Sequence, residues 1–129
     1  MRIKVIDPDS AMCRLLTAFL GRFYSHIETG SLPDCPLHRD ASSCCGRPQA
    51  CADVVMTTIK FPIEENLLFL VEPRRRGCKV HPANKMVISA GMTPAQEEVI
   101  RNFGAEPLRK PFRLSEILGY LQDCSARLA

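Results

Sequence analysis

The sequence predicts an α/β fold in which helices cover both faces of an open, doubly wound parallel β-sheet. Two features of the 129 residues support this class. Short apolar strands alternate with amphipathic helices along the chain, which is the order typical of parallel sheets with crossover helices. The strand segments are also nearly continuously apolar, as expected for strands that are covered on both faces. The length suits one domain over residues 1–129.

The first half of the chain is predicted to contain three strands and one helix. Residues 2–6 form a short buried strand, after which Asp9 or Ser10 can cap a helix. Residues 26–29 form a second strand and residues 53–58 a third. The buried stripe of the helix follows from apolar residues at helical spacing, namely Met12, Leu15, Leu16, Phe19, Leu20 and Phe23.

The second half is predicted to alternate helices and strands. Residues 64–72 form a short helix, residues 86–90 a strand, and residues 106–109 the last strand. Between these two strands, Thr93 begins a helix with a capping box, and Gly104 ends it. The stripe of that helix is Val99, Ile100 and Phe103, and the stripe of the final helix is Leu114, Ile117, Leu118, Leu121 and Cys124.

Composition excludes several classes of partner. The net charge of +3 is too small to indicate nucleic-acid binding. No apolar run approaches the roughly 20 residues that a membrane-spanning helix needs. Asp7 comes too early for a secretory signal peptide, and the seven cysteines are an odd number, which disfavours a disulfide framework. We therefore predict a cytoplasmic protein that binds neither nucleic acid nor membrane.

Residues 31–51 interrupt the alternation with an irregular, cysteine-rich insert. Its thiols and imidazole suit zinc, and its thiols alone suit an iron–sulfur cluster. The candidate ligands are Cys35, His38, Cys44, Cys45 and Cys51. The paired Cys-x-x-Cys spacing of convincing zinc sites is absent, so a loop with free thiols stays open as an alternative. Thiol-based redox sensing through Cys44 and Cys45 is another.

The remaining cysteines do not indicate an enzyme. Cys13 and Cys124 lie on helical stripes and are expected in the core, whereas Cys78 lies between a helix and a strand. The sequence contains no Cys-x-x-Cys redox pair and no Gly-x-Gly-x-x-Gly fingerprint after the first strand. We predict no catalytic residues and no enzymatic activity.

Four polar residues fall at the carboxyl ends of predicted strands. They are Asp7, Thr58, Ser89 and Lys110. Ligand sites of open α/β sheets lie at these ends, near the switch in strand order. We therefore expect the four side chains to converge on one crevice.

These residues lie within short motifs that resemble the receiver domain of bacterial response regulators, the CheY-like family. The motifs are Val5-Ile6-Asp7-Pro8-Asp9, Thr58-Ile59-Lys60-Phe61-Pro62, Ser89-Ala90, Gly104-Ala105 and Lys110-Pro111-Phe112. The resemblance implies a flavodoxin-like (βα)5 fold, in which residues 31–51 replace or extend the second helix. It covers nearly the whole chain outside that insert.

The family transfers a phosphoryl group from a kinase histidine to an aspartate. Two acidic residues hold a divalent cation. This cation, together with a hydroxyl residue and a lysine, neutralises the charge of the transferred group. By the resemblance, Asp7 matches the first acidic position, Ser89 the hydroxyl and Lys110 the lysine. Pro8 stands where the second acid is expected, although Asp9 could partly substitute. Thr58 replaces the acceptor.

The resemblance therefore implies a degenerate receiver. A threonine hydroxyl is a poor nucleophile without a nearby base, and proline offers no side-chain oxygen to a cation. We predict no aspartyl phosphorylation, little or no Mg²⁺ binding, and an ion pair of Lys110 with Asp7 or Asp9. A phosphorelay receiver with an atypical acceptor stays open as an alternative.

The resemblance also implies protein partners. These would be a kinase, an output domain or a second copy of the chain. The family commonly uses the face formed by its fourth helix, last strand and last helix, so a homodimer would form through residues 94–121.

Overall fold

A computed structural model shows five parallel strands in one sheet within the described residues, which are 1–30, 46, 48–58 and 77–128. The strands are β1 (Arg2–Ile6), β2 (His26–Gly30), β3 (Val54–Thr58), β4 (Lys85–Ser89) and β5 (Glu106–Arg109). Their spatial order is β2-β1-β3-β4-β5. This order has its switch point between β1 and β3 and is the flavodoxin-like arrangement, so the predicted fold class is confirmed.

Three α-helices and one short 3-10 helix accompany the sheet in these ranges. They are α1 (Ser10–Leu20), α2 (Pro94–Asn102), α3 (Leu114–Leu128) and the 3-10 helix Pro82–Asn84. None of the helices in the described ranges is long and apolar enough to cross a membrane. The predicted helix over residues 64–72 and most of the insert over residues 31–51 lie outside the described residues.

Side-chain caps fix the starts of α1 and α2. Asp9 is the N-cap of α1, and its Oδ1 accepts hydrogen bonds from the Ala11 and Met12 backbone N–H groups at 2.9 and 3.4 Å. Thr93 and Gln96 form the predicted capping box of α2, with each side chain accepting from the other residue's N–H. Each cap satisfies N–H groups that have no partner within their helix.

The main core lies between one face of the sheet and helices α1 and α3. Alternate residues of β1, β3 and β4 point to this face because successive side chains of a strand point in opposite directions. The cluster contains Ile3, Val5, Val54, Met56, Met86 and Ile88 from the sheet, and Leu16, Leu20, Ile117 and Leu121 from the helices. Val87 of β4 and Ile100 of α2 are buried as well.

Three apolar side chains that we predicted to be buried are exposed. Leu15 is 49%, Phe23 52% and Val99 37% exposed. Leu15 and Val99 each adjoin a fully buried residue, and about 100° of helix rotation per residue places them at the flank of the buried face. Phe23 lies beyond the end of α1 at Leu20, where helical periodicity no longer applies.

Candidate functional site

The carboxyl edge of the sheet brings polar residues of four strands together. Thr58 and Ser89 are the last residues of β3 and β4, whereas Asp7 and Lys110 directly follow β1 and β5. The parallel register pairs Thr58 with Ile88 and Ser89 with Arg109, so the strands end at nearly the same level.

Asp7 is the centre of this crevice. Its Oδ2 accepts a hydrogen bond from the Thr58 hydroxyl at 2.6 Å and contacts the Lys110 ammonium at 3.3 Å. Its Oδ1 accepts a hydrogen bond from the Asp9 backbone N–H at 2.8 Å. The side chain is only 3% exposed, and three donors therefore hold a nearly buried carboxylate.

Backbone contacts fix the position of the crevice residues. The Asp7 N–H donates to the Gly30 carbonyl at 3.0 Å, and the Cys13 thiol donates to the Asp7 carbonyl at 3.4 Å. The Lys110 N–H donates to the Ser89 carbonyl, also at 3.0 Å. These bonds tie Asp7 to β2 and α1, and tie Lys110 to β4.

The environment of Asp7 favours its ionised form. Burial raises the pKa of the carboxyl group, but the Thr58 hydroxyl, the Asp9 N–H and the Lys110 ammonium together outweigh burial. The net effect lowers the pKa from its ordinary value of 3.8. Asp7 is therefore a carboxylate at neutral pH, and the Thr58 hydroxyl proton points toward it.

The side chains of Ser89 and Asp9 make no hydrogen bond to Asp7, although the Asp9 backbone N–H does. Ser89 is 2% exposed, and its hydroxyl oxygen accepts a hydrogen bond from the Gly91 N–H at 3.4 Å. Asp9 is exposed, and its Oδ1 accepts the backbone hydrogen bonds that cap α1. Of the two carboxylates that we considered for Lys110, the structure pairs the ammonium with Asp7.

The direct hydrogen bond between Thr58 and Asp7 was not predicted. The sequence predicts both residues at the same edge, but it does not indicate that the Asp7 carboxylate lies within hydrogen-bond reach of the Thr58 hydroxyl. The parallel pairing of β1 with β3 explains the contact because it sets the ends of these two strands side by side.

The predicted metal ligands fall mostly outside the described residues. Cys35, His38, Cys44 and Cys45 lie there, and Cys51 is half-buried. In the ranges that the structure does describe, no group of three or more His, Cys, Asp or Glu residues could hold a metal ion. Zinc or iron–sulfur binding by the insert stays a prediction, which elemental analysis of protein purified without chelator would test.

The other predictions about cysteine can be compared with the structure. Cys13 and Cys124 are buried, at 9% and 0% exposed, so their predicted place in the core is confirmed. Cys78 is half-buried, and its sulfur accepts a hydrogen bond from the Lys85 ammonium at 3.3 Å. No local pattern indicates this contact, because the two residues are seven positions apart and are joined by an irregular segment.

A charged cluster lies on the face over residues 94–121. Glu97 of α2 contacts the Arg109 guanidinium of β5, and Arg101 lies 3.6 Å from the second carboxylate oxygen of Glu97. Val99 is exposed on the same helix. These contacts join α2 to β5.

Comparison with known proteins identifies the fold. No protein-family model matches the chain, and no curated protein matches it. Solved structures do match. A two-component response regulator from Clostridium difficile is 17% identical with a TM-score of 0.67, and the alignment covers 99% of this chain and 98% of that one. The chain has the receiver-domain fold.

Two further structures agree with this assignment. The BeF3-activated receiver domain of DrrB is 13% identical with a TM-score of 0.69, over 97% of both chains. The chemotaxis protein CheY4 of Vibrio cholerae is 16% identical with a TM-score of 0.64, over 95% of this chain and 97% of that one. At such low identity the likeness concerns the receiver fold, and the resemblance in fold that the motifs implied is confirmed.

Proposed function

We propose that this chain is a receiver-like signalling module of a two-component-type pathway, which acts by protein–protein interaction without an aspartyl phosphate. The contact between Thr58 and Asp7 carries the proposal. By the resemblance, Thr58 matches the acceptor position, and its neutral hydroxyl donates a hydrogen bond to the Asp7 carboxylate at 2.6 Å. We further propose that the protein is cytoplasmic and is not an enzyme.

Charge balance supports a crevice that needs no cation. In the described part of the crevice, the negative charge of Asp7 is matched by the ammonium of Lys110 at 3.3 Å. A receiver with two or three carboxylates at this edge has an excess of negative charge, which a divalent cation offsets. Replacing the acceptor by Thr58 and the second acid by Pro8 removes that excess.

The residues present do not fit a divalent cation well. Oδ2 of Asp7 already accepts from Thr58 and Lys110, and Oδ1 accepts from the Asp9 N–H. Mg²⁺ requires near-octahedral oxygen ligands, and Pro8 contributes no side-chain oxygen. A cation at Asp7 would have to displace the Lys110 ammonium. We infer that Mg²⁺ binding is weak or absent.

The test is incubation with a small phosphodonor and Mg²⁺, followed by intact mass measurement. We expect no acyl phosphate on the unmodified chain. The matched gain-of-function control is Thr58→Asp combined with Pro8→Asp, which restores both missing carboxylates and should acquire a hydroxylamine-sensitive phosphate. Formation of a hydroxylamine-sensitive phosphate on the unmodified chain would refute the proposal.

One observation favours a second candidate, a receiver that uses Thr58 as its acceptor. A threonine hydroxyl needs a base to act as a nucleophile, and the Asp7 carboxylate lies in hydrogen-bond contact with it. Asp7 is a weak base because its pKa is lowered, which is why this candidate ranks second. The same experiment separates the two, since phosphothreonine is an ester that survives hydroxylamine and that peptide mapping would locate at Thr58.

We propose residues 94–121 as the contact face for a protein partner or a second copy of the chain. Val99 supports this choice because it is a large apolar side chain, 37% exposed, on α2. Val99→Glu should weaken self-association in sedimentation experiments without changing the stability of the monomer. A monomeric wild-type protein at high concentration would rule out the homodimer.

A further inference from the structure

Helix α1 and the turn that follows it present an apolar stripe to the surface, made of Leu15, Phe19 and Phe23. Leu15 and Phe23 are exposed, and Phe19 is half-buried. The three residues are spaced by four positions, which places them along one flank of a helix. The rings of Phe19 and Phe23 meet edge to face with their centroids 5.7 Å apart, so each ring restricts the other.

The turn after α1 holds Phe23 at the surface. The Gly21 N–H donates to the Thr17 carbonyl at 2.9 Å, and a Cβ on Gly21 would lie 2.7 Å from that oxygen, so the tight turn requires glycine. The N–H groups of Phe23 and Tyr24 both donate to the Leu20 carbonyl at 2.9 Å. Tyr24 packs against the core. With Tyr24 directed inward, Phe23 remains outside.

The surface beside this stripe is basic. Arg14 and Arg22 are exposed and form no ion pair among the described residues. Residues 10–25 contain no aspartate or glutamate. The two arginines are eight positions apart in the sequence, which is about 12 Å along a helix. We call the stripe with its two arginines the α1 ridge. A surface that fits it needs an apolar recess and negative charges at a similar separation.

An acidic groove lies along α3, between this helix and the segments that precede β4 and β5. Its volume is about 350 Å³. Three of its lining side chains are carboxylates without an ion pair in the part of the chain that the structure describes, namely Glu106, Glu116 and Asp123. Arg127 lines the groove as well, but its guanidinium donates to Asn84 Oδ1 and to the Ala83 carbonyl, both at 2.9 Å. We call this negatively charged surface the α3 groove.

Gly119 opens the middle of the α3 groove. Outside its own helix backbone, no atom lies within 4 Å of the place that a Cβ would take on Gly119. Glycine weakens a helix interior relative to alanine, and packing among the described residues does not require it here. Glu116 and Asp123 lie on either side of Gly119, seven positions or about 10.5 Å apart along the helix. This separation is close to that of Arg14 and Arg22.

We propose that the α1 ridge of one copy of this chain docks in the α3 groove of a second copy. The two arginines of the ridge face the carboxylates Glu116 and Asp123, and its aromatic end faces Gly119, where the missing side chain lets two helices approach closely. Two α1 ridges do not pair with each other, because that contact would bring like charges together. The contact is heterologous, so each copy can offer one ridge and accept another.

This contact rests on the proposed interaction function, because it makes a second copy of the chain the partner. It differs from the contact proposed for residues 94–121 in using α1. The two can be separated by making every measurement in a Val99→Glu background, in which association through the exposed face of α2 is disrupted. The phosphodonor experiment is independent of both contacts, since it follows only the mass of the chain.

The test is sedimentation velocity of the full chain at low salt and at concentrations up to about 1 mM, because contacts between small surfaces are weak. We expect the background protein to form species larger than a dimer as its concentration rises, since a heterologous contact continues from copy to copy. Phe23→Asp disrupts the ridge, and Gly119→Arg blocks the groove. Each should lower the association constant about tenfold or more.

An equal mixture of these two variants gives the decisive result. The Gly119→Arg chain keeps an intact ridge, and the Phe23→Asp chain keeps an intact groove. The mixture should therefore form a 1:1 dimer and nothing larger, although each variant alone stays monomeric. Formation of the mixed dimer also verifies that both variants are folded.

Gln122→Arg is the matched control for Gly119→Arg. Gln122 is exposed on α3 but does not line the groove, so the substitution adds the same charge elsewhere on the helix and should leave association nearly unchanged. Circular dichroism of each variant verifies that the helices are retained. The proposal is overturned if the background protein stays monomeric throughout, if the mixture forms no dimer, or if Gln122→Arg and Gly119→Arg weaken association equally.

Discussion

Thr58→Val removes the hydroxyl of the crevice and keeps the shape of the side chain. The hydroxyl donates at 2.6 Å to the Asp7 carboxylate, which is 3% exposed, so water has little access to replace the lost donor. Hydrogen bonds to charged groups contribute about 1.5–3 kcal/mol. We therefore expect the free energy of unfolding at neutral pH to fall by about 2 kcal/mol.

The pH dependence of this loss tests the same reasoning. Burial raises the pKa of Asp7, but its three hydrogen-bond donors bring it below 3.8. A depressed carboxyl pKa contributes stability above 3.8, and this contribution is lost as the pH falls through the folded-state pKa. The variant lacks one of the donors, so the pKa of Asp7 should rise. The stability difference between the two proteins should then narrow as the pH falls below 3.8.

Urea unfolding followed by far-UV circular dichroism suits this measurement, because the chain has no tryptophan. Thr58→Ser is the matched control, since it keeps the hydroxyl and removes one half-buried methyl group, for a loss of about 0.8 kcal/mol or less. The reasoning is wrong if Thr58→Val unfolds at the wild-type urea concentration at every pH, or if the serine and valine variants lose equal stability.

Three further substitutions test the contacts that fix the crevice and the core. Lys110→Met removes the ammonium beside Asp7. The lysine side chain is 24% exposed and solvent screens the pair, so we expect the free energy of unfolding in urea to fall by about 1 kcal/mol. NMR titration should show a raised pKa of Asp7, and an unchanged pKa would contradict the pairing. Asp9→Ala removes the N-cap of α1 and should cost about 1 kcal/mol, whereas Asp9→Asn should cost little; equal losses would exclude a capping role. Tyr120→Phe removes the hydroxyl that donates to the Ala83 carbonyl at 2.8 Å and should lower the free energy of unfolding by about 1 kcal/mol. Unchanged thermal unfolding would contradict a stabilising role for this bond.

The strands could be predicted from the sequence because their burial leaves a local pattern. Apolar runs predicted β1 over residues 2–6, as observed, and predicted β4 within one residue. The caps at Asp9 and Thr93 were also predictable, since capping depends on residues within one turn. The exposure of Leu15 and Val99 was not, because helical periodicity defines a stripe but not which of its flanks is covered.

The sequence by itself determined which residue types stand at the strand ends, including Thr58, whose hydroxyl stands where the resemblance implies the acceptor carboxylate. Only the tertiary structure decided what that hydroxyl does. Asp7 and Thr58 are 51 positions apart, and Lys110 is 103 positions from Asp7. The hydrogen bond and the ion pair on the same Asp7 oxygen exist because β1 lies beside β3 and the Lys110 side chain reaches Asp7 from the end of β5. The contact of Cys78 with Lys85 likewise depends on an irregular turn, whose course no local pattern in the sequence specifies.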